Sequence, residues 1–573
     1  MRATKPIAGQ KPGTSGLRKK TKVFQSENYV ENFVQATFDA LQGELNGKAL
    51  VVGGDGRFFN LAMAQTIIKM AHANKVARVL VGRDAILSTP AVSAIVRGRG
   101  CQGAFILTAS HNPGGPDNDV GIKYNTSGGG PAPESLTEAI YRCTETITRY
   151  FKSTFDDVDL STPGERSPVD GFVVQVIDCT EDYVRLMAST FDFAKISALC
   201  ARSDFSFVFD AMSGVAGPYA KAVFQDALGC RPACLLNCIP STDFNGGHPD
   251  PNLTYAEQLV GIMGLKRDGS VNEASSGSVP DFGAACDGDA DRNMILGRRF
   301  FVTPSDSLAV LASKVAQCVP YFAKHGLKAV ARSMPTSCAV DVVAKDMGVP
   351  CFEVPTGWKF FVNLCDAQAL GKGDWSPLLC GEESFGTGSS HIREKDGIFA
   401  ILCWLSVLAH ENAATASAPL VGVQAIVEAH WRKYGRNHYM RYDYEEVDSA
   451  KAKALTDRLS AFCAVPAGIP ALEHGFAVAK ADEFSYHDPV DGSVSSNQGW
   501  RFLLKDGSRF VFRLSGTGSS GATVRLYLER ATPPGSPDLL APPSAALKNL
   551  IEAALAFAKV REFLGRDQPT VIT

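Results

Sequence analysis

The chain has 573 residues, 45% hydrophobic and 20% charged, with 57 Lys plus Arg against 60 Asp plus Glu for a formal charge of −3. This length exceeds what one core can serve and predicts about three to five domains. The near balance of charge leaves no general footprint for nucleic acid or an anionic membrane surface. Fifteen cysteines, an odd number with no C-x-x-C pair, argue for free thiols in a reducing compartment over a disulfide framework or zinc cluster.

The first residues, Met1 to Gly16, are basic without an apolar stretch, so no signal peptide is expected. Lys11-Pro12-Gly13-Thr14-Ser15-Gly16-Leu17-Arg18-Lys19-Lys20 reads either as a solvated basic arm or as an anion-facing loop. A helix is predicted over 29–45, then a strand over 48–52 closed by Gly53-Gly54-Asp55-Gly56-Arg57, a helix over 60–73, a strand over 77–81 and a helix over 89–98. Strands alternating with helices at this spacing indicate βαβ units and a mainly parallel sheet. The apolar run Gly103-Ala104-Phe105-Ile106-Leu107 then empties into Thr108-Ala109-Ser110-His111-Asn112-Pro113-Gly114-Gly115. A polar loop at such a strand end is the usual place for a site in an α/β sheet. Ser110 offers a nucleophilic hydroxyl with His111 beside it, although the segment alone also fits a turn of small residues.

The same pattern of strand, polar loop and helix recurs at 205–210 and again at 327–331, a weak repeat that predicts three related α/β domains. Cys286-Asp287-Gly288-Asp289-Ala290-Asp291-Arg292 places three carboxylates at alternate positions between apolar strands. Period-two spacing can aim them the same way, and three hard oxygens suit Mg²⁺ better than zinc. A calcium EF-hand fails because Arg292 and Arg298 stand where glycine and a bidentate glutamate are needed.

Gly381-Glu382-Glu383-Ser384-Phe385-Gly386 follows a buried run and offers the mixed acceptors and donors that vicinal sugar hydroxyls require; a solvated loop is the alternative. His391-Ile392-Arg393-Glu394-Lys395-Asp396 adds cations for a phosphate or for acid/base work, or plain surface charges. The apolar block 397–409, flanked by Asp396 and Glu411, is far short of a membrane span and reads as a buried helix. Beyond about 434 the alternation becomes that of half-buried antiparallel strands, and a helix is predicted over 544–564. Segments 266–280 and 532–544 read as surface insertions. Between two of the late strands, Arg513-Leu514-Ser515-Gly516-Thr517-Gly518-Ser519-Ser520-Gly521-Ala522-Thr523-Val524-Arg525 combines glycines, hydroxyls and two bracketing arginines, a composition suited to an anion nest. No Gly-Lys-Ser/Thr follows, so it is not a nucleotide P-loop.

Together the serine, acidic, glutamate and arginine loops, in this order and spacing, resemble the α-D-phosphohexomutase superfamily, closest to its long eukaryotic-type phosphoglucomutases. Lys11–Lys20, Gly121-Ile122-Lys123, Val354-Pro355-Thr356-Gly357-Trp358-Lys359 and Asp488-Pro489-Val490-Asp491-Gly492 extend the resemblance over nearly the whole chain. It departs at 117–120 and in the length of 266–280, neither of which touches a residue given a role.

The resemblance implies three related α/β domains with mixed sheets plus a smaller C-terminal α+β domain around a central cleft, at 1–199, 200–302, 303–434 and 435–573. Ser110 resembles the phosphoserine, which with Asp287, Asp289 and Asp291 would hold one Mg²⁺ per subunit. Arg18, His111, Lys123, Arg292 and Lys395 would surround the reacting phosphoryl group, with His111, Lys123 or Lys395 as acid or base. Thr356 and Gly357 would tell two sugar orientations apart, Glu382 and Ser384 would hold sugar hydroxyls, and Arg513, Ser515, Gly516, Thr517 and Arg525 would grip the phosphate not being transferred. The implied reaction interconverts glucose 1-phosphate and glucose 6-phosphate through glucose 1,6-bisphosphate, in the cytoplasm, on a monomer with a dimer as alternative, without nucleic acid or membrane partners. The competing expectations are a related protein of cytoskeletal attachment or exocytosis with little catalysis, a phosphomannomutase, and, least favoured, a serine phosphatase.

Overall fold

The computed structural model describes residues 1–573 apart from 14, 276, 414–418, 519–520 and 567, with backbone alone at 467, 516–518 and 521. Unit I is a seven-stranded sheet of β1 (Leu17–Lys20), β2 (Ala49–Gly54), β3 (Arg78–Ile86), β4 (Gly103–Leu107), β5 (Asp119–Thr126), β6 (Gly164–Val169) and β7 (Phe172–Ile177), in the order β1-β5-β4-β2-β3-β7-β6. Its middle, β4-β2-β3-β7, is parallel, and the outer strands are antiparallel. Helices α1 (Tyr29–Ala40), α2 (Asn60–Ala73) and α3 (Thr89–Gly98) cover it. Leu50 and Val52 enter one apolar cluster and Val51 another, so this strand is buried on both faces and reads as a continuous apolar run.

Unit II repeats the theme with β8 (Phe207–Asp210), β9 (Leu235–Leu236), β10 (Phe282–Ala285), β11 (Met294–Gly297) and β12 (Phe300–Val302), ordered β9-β8-β10-β11-β12. In unit III, α4 (Pro304–Cys318) precedes β13 (Ala329–Ser333), β14 (Cys351–Val354), α5 (Trp358–Asp366), β15 (Leu378–Glu382), β16 (Gly386–Ser389) and α6 (Gly397–Glu411), with sheet order β14-β13-β15-β16. All three sheets are therefore mixed: a parallel centre carries antiparallel edges that the local pattern of strand and helix does not reveal. One hydrophobic cluster runs from Val51 and Ile106 through Phe209 and Phe282 to Val330, Trp404 and Trp431, joining the three units. Helix α6 lies inside it, buried from Gly397 to Ala409 as its sequence predicts.

Unit IV is an antiparallel sheet of β17 (Arg436–Val447), β18 (Val478–Glu483), β19 (Trp500–Leu504), β20 (Arg509–Gly518), β21 (Gly521–Thr532) and β22 (Val571–Ile572), ordered β18-β19-β20-β21-β17-β22. Helices α7 (Ser449–Ala464), α8 (Pro543–Ala558) and α9 (Val560–Leu564) cover a core of its own around Phe502, Phe510 and Leu526. Two helices end earlier than expected. The helix predicted over 29–45 stops at Ala40, where Gln42 and Gly43 take positive φ of 47° and 86°. The one predicted over 544–564 breaks at Lys559, which sits at φ 54° with no glycine or proline to announce it.

Candidate active site

Each α/β unit sends one loop off the end of a central strand. Strand β4, wholly buried, delivers the Ser110 loop, and Ser110 itself is held in the left-handed region at φ 54°. That strained turn is fixed from below. Thr108 Oγ1 accepts from Ser110 N at 2.7 Å and donates to Asp55 Oδ2 at 2.6 Å. Arg57, 1% exposed, clasps Asp55 through Nε at 3.1 and 2.9 Å. Its other nitrogens donate to the carbonyl oxygens of Ser110 at 2.7 Å, Asn112 at 3.3 Å and Asp119 at 2.9 Å. The sequence marked Gly53–Arg57 only as the close of a strand. The use of Arg57 and Asp55 as the loop's anchor is visible only once β2 and β4 lie side by side.

The acidic loop between β10 and β11 comes up against the serine loop. A Cβ at Gly288 would stand 2.7 Å from the Ser110 carbonyl oxygen, so only glycine permits the approach. Ser110 Oγ donates to Asp287 Oδ2 at 2.8 Å. Asp287, Asp289 and Asp291 are 0%, 1% and 4% exposed, and one carboxylate oxygen from each lies within 4.8 Å of the others. Thr89 Oγ1 donates to Asp289 Oδ2 at 2.7 Å, and the backbone N–H groups of Asp291 and Arg292 donate to Asp287 Oδ1 at 3.0 Å each.

Asp289 Oδ1 and Asp291 Oδ1 are buried without a hydrogen-bond partner. Burial, with Asp289 and Asp291 beside it, pushes the Asp287 carboxyl well above its ordinary value. Clustered buried carboxylates with orphaned oxygens are what a hard divalent cation requires, so the donor set fits Mg²⁺.

Above this floor opens a cleft of about 700 Å³. Arg18, His111, Lys123, Asp291, Arg292, Thr356, Gly357, Glu382, Ser384, Lys395, Arg513, Ser515 and Arg525 all line it. Ser110, Asp287 and Asp289 lie just beneath, no more than 3% exposed. Only the backbone of Gly516 and Thr517 is described, and residues 519–520 of the same loop lie outside the described residues.

His111 Nδ1 stands 3.4 Å from Ser110 Oγ, and burial together with Arg292 and Arg18 pushes its imidazole well below the ordinary value. Lys123 Nζ bonds Glu394 at 3.0 Å across the interface of units I and III. Lys395 Nζ bonds Asp291 at 3.2 Å; burial pulls its ammonium down, but Asp291 and Glu382 more than offset this and raise it. Arg292 is held by Asp250 at 3.2 Å and stands 3.9 Å from Asp287. Glu394 and Asp250 gave no signal in the sequence, because each matters only through its distant partner.

Strand β15 delivers the glutamate loop, and Glu382 Oε1 accepts from Gly357 N at 3.1 Å, joining it to the Thr356–Gly357 turn. Asn293 N donates to the Phe385 carbonyl at 2.8 Å, which ties the glutamate and acidic loops together. A Cβ at Gly397, where α6 starts, would stand 2.2 Å from the Arg292 carbonyl oxygen, so the helix end presses on the same loop. Unit IV closes the cleft with Arg513 and Arg525, which face each other in register on β20 and β21. It is seated on unit III by Tyr439 Oη donating to the Pro335 carbonyl at 2.9 Å and Arg509 Nη1 to that of Met334 at 3.0 Å.

The fold and this cleft define a class: three α/β units and an antiparallel fourth, converging on a carboxylate triad at one end and paired arginines at the other. Residues 9–151, 181–299 and 304–434 match the models described as Phosphoglucomutase/phosphomannomutase, alpha/beta/alpha domains I, II and III, and 436–570 match that of the Phosphoglucomutase-1 C-terminal domain. The chain belongs to the phosphoglucomutase/phosphomannomutase family. It is 56% identical over 589 residues to a protein of Arabidopsis thaliana named probable phosphoglucomutase, cytoplasmic 2, covering 100% of this chain and 98% of that one. It is 53% identical over 587 residues to the cytoplasmic phosphoglucomutase of Pisum sativum, with the same coverage. Among solved structures, the open form of pp63/parafusin from Paramecium, described as an exocytosis-sensitive phosphoprotein and phosphoglucomutase, matches with a TM-score of 0.90 and 49% identity, over 100% of this chain and 98% of that one.

Proposed function

We propose that Ser110, carried as a phosphoserine, exchanges its phosphoryl group with a sugar phosphate held between the glutamate and arginine loops. The enzyme interconverts glucose 1-phosphate and glucose 6-phosphate. The observation that carries the reading is the 2.8 Å contact of Ser110 Oγ with Asp287 under a cleft lined by both loops.

The free hydroxyl of the bound sugar phosphate attacks phosphorus on phospho-Ser110, the Oγ–phosphorus bond breaks, and the proton leaves to a neighbouring base. His111, Lys123 and Lys395 are the acid/base groups lining the cleft: His111, its imidazole pushed well below the ordinary value, is free to take this proton, and Lys395, its ammonium raised, is placed to share one with the departing Ser110 Oγ. The product is glucose 1,6-bisphosphate. It turns over, Ser110 Oγ attacks the other phosphate, and the opposite isomer departs. Arg18, Arg292 and Lys395 supply the positive surroundings that a loose phosphoryl transition state needs, so positioning matters more than nucleophile activation. Glu382 and Ser384 take the sugar hydroxyls, Thr356 and Gly357 distinguish the two orientations, and Arg513, Ser515, Gly516, Thr517 and Arg525 hold the phosphate that stays.

Asp287, Asp289, Asp291 and an oxygen of phospho-Ser110 would hold one Mg²⁺ per chain. When bound, Mg²⁺ supplies charge that offsets what develops on the transferring oxygens. Millimolar Mg²⁺ is expected to raise the melting temperature of the parent by mass action, and Asp289→Ala to abolish that shift. Equal shifts in both proteins, read by scanning calorimetry, would move the cation elsewhere.

We divide the chain at 199/200, 302/303 and 434/435, so that each unit contributes one loop. One chain completes the cleft, and we take the monomer as the active unit. Relatives at 53–56% identity are named cytoplasmic, and we place this protein there.

The description of the Paramecium protein keeps a second role in exocytosis open to test alongside catalysis. With Mg²⁺ and catalytic glucose 1,6-bisphosphate, turnover of glucose 1-phosphate is expected to exceed that of mannose 1-phosphate by about tenfold or more. Faster turnover of the mannose compound would make it a phosphomannomutase, and no turnover of either would favour the non-enzymatic role.

A further inference from the structure

Beside Arg513 and Arg525, unit IV presents a third guanidinium to the cleft, Arg441 on β17. Strand pairing sets Asp443 directly opposite Arg525. Its carboxylate, 5% exposed, accepts from Arg441 Nε at 2.9 Å through Oδ1 and lies 3.6 Å from Arg525 Nε through Oδ2. The backbone around it is pinned. Thr570 N donates to the Asp443 carbonyl at 2.7 Å, and Arg441 N to that of Thr573 at 2.7 Å, where β22 pairs with β17. Arg525 Nε remains buried without a hydrogen bond, so Asp443 attracts this guanidinium without satisfying it. Glu383 also lines the cleft; one oxygen accepts from the Ser333 hydroxyl of unit III at 2.9 Å, and its charge acts on Arg441 and Arg513, but Asp443 is the stronger counter-charge to Arg441 and the one in ion-pair range of Arg525.

We propose that Asp443 is a positioning residue that keeps the phosphate grip reversible: it shares two of the cradle's guanidiniums with the bound phosphate and limits how tightly a sugar phosphate is held. The inference rests on the mutase reading, in which the grip must release one phosphate and accept the other within each turnover. Arginines without this counter-charge would hold the phosphate dianion more tightly in the substrate and bisphosphate complexes, but not in the reorienting state, where the grip has let go. Such ground-state tightening lowers KM, leaves the barrier from free enzyme to that reorienting state unchanged, and slows the step in which the bisphosphate must let go.

Asp443→Asn removes the charge and keeps an oxygen for Arg441. Titrating the Mg²⁺-loaded protein with glucose 6-phosphate in a calorimeter is expected to give a Kd about tenfold below the parent's. KM and kcat are expected to fall by about the same factor, leaving kcat/KM nearly constant. Adding Arg441→Gln to Asp443→Asn is expected to bring Kd back to within about threefold of the parent. If Asp443→Asn does not fold, the smaller Asp443→Ser takes its place with the same expectation.

An unchanged or raised Kd overturns the proposal, and so does a lower kcat with a higher KM, the pattern of a purely structural role. Tighter glucose 6-phosphate binding in a protein without mutase turnover would sink the reaction and leave the role of Asp443 standing. Normal turnover with unchanged Kd would do the reverse.

Discussion

Ser110→Ala and Ser110→Gly are each expected to lower kcat by on the order of 10⁵-fold or more, because in the proposed reaction the hydroxyl that bonds Asp287 carries the phosphoryl group between the two transfers. Neither should unfold the protein. Alanine keeps the loop and forfeits one hydrogen bond to Asp287, a change of about 1 kcal/mol. Glycine also relieves a left-handed residue at φ 54°, which offsets the entropy it adds to the unfolded chain to within about 1 kcal/mol. The pair thus separates chemistry from stability: both proteins should melt near the parent and both should be inactive. Turnover above about 1% of the parent in either variant, with intact-mass analysis showing no phosphate transferred to another residue, would remove Ser110 from the reaction.

Arg57→Met is expected to damage stability and activity together. The side chain is 1% exposed and donates to Asp55 and to three carbonyl oxygens. Removing it takes a donor from those oxygens and leaves the buried Asp55 carboxylate with hydrogen bonds from Thr108 and Asn60 but no cation, a cost of about 3–5 kcal/mol that Asp55 moderates by taking up a proton. A fall in melting temperature on the order of 10 °C follows. Arg57→Lys should behave almost as badly, since a single ammonium cannot span the planar fork that reaches four partners. Arg57→Met with Asp55→Leu should recover part of the stability by removing both charges. It should not recover activity, because Thr108 and the Ser110 carbonyl still lose their anchors. A single Arg57→Met variant that melts within about 2 °C of the parent would show that the loop holds its strained turn unaided.

The contrast between these residues explains what the sequence conveys. Ser110, the three aspartates and the paired arginines are legible because each chemistry is written within one short segment, at the end of an apolar run that marks a strand. Arg57 is not legible, since its partners lie at 55, 110, 112 and 119 and meet it only after β2 and β4 pair. Asp443 is hidden for the same reason: its position opposite Arg525 depends on the register of β17 with β21. The three-unit repeat could be read from alternating strands and helices, but the antiparallel edges that make the sheets mixed leave no comparable trace. At Lys559 the chain breaks a helix through a lysine, a choice that propensity alone would not make.

The hydrophobic cluster shared by units I, II and III has a consequence for how this enzyme can be altered. The acidic, serine and glutamate loops are cantilevered from a common block of packed side chains, so none can be transplanted or re-angled without disturbing the others. Unit IV has a core of its own around Phe502 and Phe510 and meets unit III through a second cluster, in which Val511 and Tyr527 pack with Met334 and Phe361. Away from that seam, evolution or engineering can retune the charge of the cap's cleft-facing arginines while the serine and acidic loops, rooted in the other cluster, stay as they are.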